Sequence, residues 1–329
     1  MIYLRCLRKM RKIFAVTVWS MLGTVMLTNI VSNAASAATA DDLASTSVSI
    51  PASTSAAQLR QQYEALRTKL ANSPFKRPLV IESRQGSSDI KGEIYAVTKH
   101  PFAIVSASLG SAQSWCEILI LHLNTKYCRI QDDHAGSTVP DGDSAVLLLN
   151  VGKKFDQPLA DSFRLIFDWR AVQRKADFLQ VVMSAESGPL GTHNYRIVLE
   201  AVPINADTTF VHLSYAYGFG ISSKLVMKAY LATIGQNKVG FTITGKEPDG
   251  QPTYIDGMLG LVERNTMRYH LAVEAYLDAL ALPRAAQFEK RITEWFAASE
   301  RYPRQLHEIE QRAYLDMKRF EYRRQHQPL

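Results

Sequence analysis

The sequence predicts an α+β fold in which an antiparallel sheet of about six to seven strands packs against a long helix, with further helices at the C-terminal end. Two observations carry that expectation. Between residues 126 and 217, short β-patterned segments follow one another with turn signals between them, the spacing of antiparallel neighbours rather than of helix-crossover units. From Gly260 to Leu280 the period changes. Val262, Asn265, Tyr269, Ala272 and Tyr276 recur at i, i+3, i+4 intervals and form one stripe of a helix that Pro283 ends.

The chain opens with Arg5, Arg8, Lys9, Arg11 and Lys12, and no acidic residue precedes Asp41. An uncharged run, Ile13 to Val31, follows. Beyond it, Ala35-Ser36-Ala37 and Ala38-Thr39-Ala40 both fit a small-residue cleavage site. Basic start, apolar middle and small-residue end are the three parts of a secretory signal peptide, so residues 1–40 are expected to be cleaved and the protein exported, into a periplasm. The rival is an uncleaved anchor, because the run of 19 residues is just long enough to span a bilayer. Thr17, Ser20, Thr24, Thr28 and Asn29 dilute the run and favour cleavage.

Residues 41–57 are rich in Ser, Thr and Ala and read as a flexible leader. Residues 58–89 read as a helix and linker: Leu59, Tyr63, Leu66 and Leu70 have helical spacing, and Pro74 and Pro78 stop it. Glu93–Thr98 reads as a strand, Ala103–Leu109 and Ser114–Leu121 as short helices. The strands that follow are Lys126–Gln131, Ala145–Val151, Ser162–Val172, Phe178–Ala185, one around Tyr195–Ala201, and Thr209–Tyr217. In Ser162–Val172 the alternation is clean: Phe163, Leu165, Phe167, Trp169 and Ala171 share one face, and Arg164, Asp168 and Arg170 the other. Ser222 or Ser223 can cap a helix to about Ile234. Residues 240–257 read as a Gly/Pro-rich loop with a short hairpin. After the long helix, residues 282–329 form a helical extension. Phe288, Ile292, Trp295 and Phe296 mark one helix, and Leu306, Ile309, Ala313, Met317 and Phe320 mark the next.

The 329 residues carry 38 Lys+Arg and 31 Asp+Glu, a formal +7. A basic balance of this kind suggests nucleic acid or an anionic membrane. Cleavage of the signal, however, leaves 33 basic against 31 acidic residues, so the charge belongs chiefly to the export signal and nucleic acid is not an expected partner. The segment Lys318-Arg319-Phe320-Glu321-Tyr322-Arg323-Arg324 is basic and aromatic, the composition of a membrane-surface contact. Residues 261–329 hold 12 basic and 10 acidic side chains, so no large field develops. After cleavage two cysteines remain, Cys116 and Cys128, an even count that suits a structural disulfide in an exported protein; free buried thiols are the rival reading.

Motifs for chemistry are absent. His307-Glu308 lacks the second histidine of a zinc-protease helix. No nucleophile elbow occurs, and Gly218-Phe219-Gly220 lacks the third glycine of a dinucleotide loop. His122, His193 and His212 are far apart in sequence and read as structural histidines. No catalytic residue, metal or cofactor is expected. Arg264 and Arg268, one helical turn apart, are candidates to hold an anionic headgroup, against the alternative that they pair with nearby carboxylates.

The element order (strand, two short helices, about six antiparallel strands, long helix) resembles the START-like, helix-grip architecture of the SRPBCC superfamily over about residues 90–281. The resemblance implies a curved sheet gripping the helix with an apolar cavity between. Phe163, Leu165, Phe167 and Trp169 would then line the concave face, with Tyr195, Tyr215 and Tyr217 joining them and Asn265 and Tyr269 closing the far side. Tyr217-Gly218-Phe219-Gly220 would stand at the rim. Two features depart from the family: residues 222–257 intervene before the helix, and two helices follow it. The resemblance implies a binding protein for a hydrophobic small molecule or lipid. One alternative is an enzyme of cyclase or hydrolase type in the same cavity. The other is a structural protein that docks a partner through its C-terminal helices.

Overall fold

The computed structural model describes residues 55–131, 143–221, 225, 227 and 238–327. The expected signal, nearly all of the leader, and the helix expected after Ser222 (apart from Leu225 and Met227) lie outside the described residues. Among the described residues no helix is long and apolar enough to cross a membrane; the run Ile13–Val31 is not among them.

In chain order the elements are α1 (Ala56–Ala71), β1 (Leu79–Gln85), β2 (Asp89–Thr98), α2 (Phe102–Leu109), α3 (Ala112–Leu119), β3 (Thr125–Gln131), β4 (Ser144–Val151), β5 (Phe163–Lys175), β6 (Phe178–Ser187), β7 (Thr192–Pro203), β8 (Thr209–Phe219), the hairpin β9 (Ile243–Lys246) and β10 (Pro252–Tyr254), α4 (Gly257–Ala279), α5 (Arg284–Glu300), α6 (Pro303–Leu306) and α7 (Gln311–Gln325). Eight strands form one sheet in the order β1-β2-β8-β7-β6-β5-β4-β3, antiparallel throughout. A meander whose last strand returns to pair with the first long one, with two short helices between them and a long helix on the inner face, is the START-like helix-grip arrangement. The sheet has one strand more than expected. Residues 79–85, expected as linker, extend the edge as β1, because Leu79-Val80-Ile81 can pair with β2 through the tight connection at 86–88.

The two faces of the sheet are covered differently. In β5, Leu165, Phe167, Trp169 and Ala171 turn inward and are buried, while Arg164, Asp168 and Arg170 are exposed. Phe163, at the start of the strand, is 39% exposed and does not join the interior. The outer face carries α1, opened by a capping box between Ser55 and Gln58. Leu59, Leu66 and Leu70 pack there on Tyr95, Phe178, Val202 and Phe210. The inner face carries α2, α3 and α4 in one continuous core. Helix α4 approaches β2 so closely at Gly92 that a Cβ there would collide with the Thr266 hydroxyl.

Helix α4 is buried on nearly every side, including Glu263, Arg264, Arg268 and His270. A one-sided stripe was expected. The difference arises because the C-terminal helices cover the side that the sheet does not. The Trp295 indole on α5 donates to the Arg268 carbonyl at 3.0 Å, and the Tyr314 hydroxyl on α7 donates to the Leu121 carbonyl at 2.9 Å. The helix expected from Leu306 through Phe320 is broken into α6 and α7, and His307–Glu310 form the link between them. Cys116 and Cys128 are joined, with Cα atoms 5.2 Å apart, and tie α3 to β3.

A polar row crosses the outer face. Gln180 donates to Glu200 at 2.6 Å. The two ring nitrogens of His212 meet Glu200 at 2.9 Å and Glu93 at 3.0 Å, and the ring stacks on Tyr95. Two carboxylate acceptors require two N–H donors, so the ring is an imidazolium. Burial alone would lower its pKa, but the bonds to Glu200 and Glu93 prevail and raise it above 6.5. Burial likewise opposes ionisation of Glu93, yet His212 and Lys91 hold its pKa down to about 2. Stabilisation by His212 is therefore full below about pH 6.5 and fades as pH rises through the raised value. That of Glu93 is full above about pH 4.5 and fades as pH falls towards 2. The stability advantage of wild type over His212→Gln, measured by urea unfolding, is expected to be greatest between about pH 4.5 and 6.5 and to shrink on either side.

Candidate functional site

Three elements bring aromatic side chains together on the inner face. Tyr195 comes from β7, Tyr215 and Tyr217 from β8, and Tyr269 from α4. Their rings are in mutual contact, with centroids 5.3 Å apart for Tyr195–Tyr217, 5.6 Å for Tyr215–Tyr217 and 5.3 Å for Tyr215–Tyr269. The β-residues alternate with period two, so 195 on one strand and 215 and 217 on the next share the inner face. Tyr269 reaches them because α4 lies along β2 and β8. Burial raises the pKa of all four phenols. They stay protonated at neutral pH and act as hydrogen-bond groups on an apolar surface.

His122 completes the cluster. It follows α3, is 4% exposed, and stacks on Tyr269 with ring centroids 4.9 Å apart. Its Nδ1 accepts from the Asn124 backbone N–H at 3.2 Å. Burial first, and then the positive fields of Arg268, Lys318, Lys154 and Lys126, hold its pKa well below 6.5. The neutral ring with an accepting Nδ1 carries its proton on Nε2, and that buried N–H has no hydrogen-bond partner among the described residues. The indole N–H of Trp169, in the same core, is also buried without an acceptor among the described residues. Each such donor costs about 1–3 kcal/mol relative to a paired one.

Beside His122 lie two groups of charge. In the first, Lys126 and Lys318 share the carboxylate of Glu321 at 3.0 and 2.7 Å, and all three side chains are fully buried. Lys318 also donates to the carbonyls of His122 and Thr125, which fixes the backbone that carries His122. Burial pushes the Lys318 ammonium down to about 8 against the pull of Glu321. Lys318, expected on a basic exposed face, is thus a buried clamp. Of its basic neighbours, Arg319 pairs with Glu289 at 2.9 Å and Arg324 donates to the Lys126 carbonyl at 2.6 Å. The second group is built on α4. Arg268 donates to Glu308 at 2.8 Å and to Asn265 at 3.3 Å, and Arg264 donates to the Val239 carbonyl at 3.1 Å.

The interior candidates Leu165, Phe167, Trp169, Tyr195, Tyr215 and Tyr217 all face the common core. Asn265 and Tyr269 are half-buried, as is Leu261 one turn earlier, although the residues between them are buried. Spacing of four places the three on one strip of α4, and Tyr269 shows that the strip turns towards Tyr215. Arg264 and Arg268 are 2% and 1% exposed and do not stand free at a rim. At the expected rim, Tyr217, Gly218 and Phe219 are buried, and Gly218 is where the His193 ring packs. Two open clefts lie elsewhere. One of about 400 Å³, between α3, α5 and α7, is lined by Glu117, Tyr276, Arg291 and Tyr322 among others. The other, of about 330 Å³, runs between Phe155 and Ile309, Met317 and Phe320. Among the described residues no group of three or more His, Cys, Asp or Glu is placed to hold a metal ion.

Sequence reading missed Glu308, Lys126, Lys318 and Glu321 as partners of the site, and treated His122 as a lone histidine. The available signal was small: a His-Glu pair without the second histidine of a metal helix, and a lysine at the start of a strand of mixed polarity.

Comparison with known proteins supplies context for the fold. No family model matches the chain, and no curated protein matches it. Among solved structures, truncated norcoclaurine synthase from Thalictrum flavum is 15% identical, covering 46% of this chain and 89% of its own, with a TM-score of 0.32. A START superfamily protein from Mycobacterium smegmatis is 12% identical over 45% of this chain and 90% of its own, with a TM-score of 0.30. Human StAR-related lipid transfer protein 5 is 10% identical over 54% of this chain and 90% of its own, with a TM-score of 0.28. The chain has a START-like fold. The strand order and the placement of α4 carry that assignment, since these superpositions are loose and leave about half of the chain unmatched.

Glu321 neutralises two buried ammonium groups, so Glu321→Gln is expected to lower unfolding free energy by about 3–5 kcal/mol. Urea denaturation followed by tryptophan fluorescence measures it.

Proposed function

We propose that this chain is an exported protein that binds an amphipathic ligand, a hydrophobic small molecule or lipid, between the sheet and α4. The half-exposed strip Leu261–Asn265–Tyr269, set against buried Tyr215 and His122, carries the proposal. Behind it lies an aromatic interior in which two donors, the His122 Nε2–H and the Trp169 Nε1–H, have no acceptor among the described residues. Apolar burial supplies about 25 cal/mol per Å², and one or two polar contacts set orientation. The protonation states favour binding over acid–base chemistry. His122 stays neutral far below neutral pH and the phenols stay protonated far above it, so none is poised near 7 to exchange a proton.

The test is organic extraction and native mass spectrometry of protein recovered from a periplasm, with Nile red as a neutral probe. A co-purifying amphiphile, or Nile red uptake that Leu261→Trp reduces about tenfold with the fold intact by circular dichroism, is expected. Ligand-free protein that also fails to take up Nile red sinks the reading. Cleavage is tested by the same intact mass: a mature chain beginning at Ala38 or Asp41 supports it, and retention of residues 1–40 overturns it in favour of an uncleaved anchor.

A further inference from the structure

Glu308 lies in the link between α6 and α7, outside the helix-grip core, yet its carboxylate reaches into a group of cations drawn from three parts of the chain. One oxygen accepts from Arg268 of α4 at 2.8 Å and stands 2.7 Å from Lys154, which follows β4. The other stands 4.0 Å from Lys238, which precedes β9. Arg264, one turn before Arg268, adds its field to both lysines. Burial first, and then repulsion among these cations, depresses the ammonium of Lys154; Lys238 shifts the same way. Burial opposes ionisation of Glu308, but Arg268, Lys154 and Lys238 outweigh it and lower its pKa.

The arrangement has more than an ordinary surface pair requires. Arg268 is buried, whereas Lys154 and Lys238 keep about a quarter of their side-chain surface in solvent, so the group is anchored inside and open at its mouth. Arg268 also donates to Asn265 of the half-exposed strip, which makes this group continuous with the proposed route for an apolar ligand. His122, whose Nε2–H lacks an acceptor among the described residues, feels the same positive field. Glu308 itself sits on the short non-helical link His307–Glu310 between α6 and α7, so displacing its side chain breaks no helical hydrogen bond of its own residue.

We propose that Arg268, Lys154 and Lys238, backed by Arg264, form a binding site for the phosphate or carboxylate group of a ligand, and that Glu308 is an internal stand-in which occupies the site and must be displaced. This deepens the amphiphile reading above and rests on it only for the ligand's apolar part. A carboxylate and a phosphate offer the same paired oxygens to a guanidinium. An incoming anion replaces one set of charge-assisted bonds by another, and releases Glu308 to water. The link between α6 and α7 then reports occupancy.

The experiment uses inorganic phosphate as probe, with chloride holding ionic strength constant, on wild type and Glu308→Gln. Phosphate is expected to bind the variant about tenfold more tightly by calorimetry, and to raise its melting temperature more than that of wild type. Arg268→Gln added to Glu308→Gln is expected to abolish both gains. If Glu308→Gln alone fails to fold, phosphate but not chloride is expected to restore folding; no restoration overturns the proposal. Equal phosphate affinity in wild type and variant, or a gain that survives loss of Arg268, also overturns it. Dodecyl phosphate separates the sources of the anion. Affinity for the variant about a hundredfold above that of phosphate supports the headgroup site and the amphiphile reading together. Affinity equal to that of phosphate keeps the anion site, makes its ligand a free anion, and sinks the amphiphile reading.

Discussion

Enclosing a long helix that carries charge on several sides forces every polar group on it to find a partner inside the protein. Helix α4 is gripped by the sheet along β1, β2 and β8 and roofed by the C-terminal helices, so water cannot solvate Glu263 or Arg268. A buried charge without partners costs several kcal/mol. The structure answers residue by residue. The Glu263 carboxylate accepts from the Phe241 and Thr242 backbone N–H groups at 2.6 and 2.9 Å, from the Thr242 hydroxyl at 2.6 Å and from the Ser83 hydroxyl at 2.7 Å. One side chain thereby joins the edge strand β1, the segment before β9 and the central helix. Arg268 is met by Glu308 from the link between α6 and α7. The extension is therefore part of the fold's electrostatic closure.

The same constraint shapes the site. Because α7 must approach α3 and β3 to close the core, Lys126, Lys318 and Glu321 are buried together, and Lys318 holds the carbonyls around His122. A positive field then falls on a histidine already deprived of water, which keeps the ring neutral and leaves a donor at Nε2. Tyrosines on two strands and one helix gather against it. The result is an aromatic interior that offers hydrogen-bond donors while resisting proton exchange, next to a basic group whose carboxylate comes from a different segment. Such a pairing is the basis of the proposal that the ligand has one apolar and one anionic end.

Close approach also has its local devices. Glycine at position 92 lets β2 and α4 touch, and Gly240 and Gly260 let the segment before β9 run against the start of α4, where added Cβ atoms would strike Glu263 and neighbouring backbone. These contacts fix the height of α4 above the sheet, and with it the distance between Tyr269 and Tyr215.

The strands of the meander, their inward faces, the two short helices and α4 were legible in the sequence, because period-two and period-3.6 burial patterns are local and Pro, Gly and cap residues punctuate them. Leu165, Phe167, Trp169, Tyr195, Tyr215 and Tyr217 could be placed on one face for that reason, and Cys116 and Cys128 paired by count. Strand β1 escaped because an edge strand of seven residues, half exposed, has little alternation to show. Only the tertiary structure decided the fate of the charges. Whether Arg268 meets solvent, a ligand or a carboxylate depends on Glu308, 40 residues beyond it, and Arg264 is met by the Val239 carbonyl, 25 residues before it. The burial of Lys126 depends on Glu321, 195 residues away. Local pattern records which side chains avoid water; it does not record which distant opposite charge arrives when the chain closes, since Coulomb partners are chosen by distance in space and by the dielectric that packing creates.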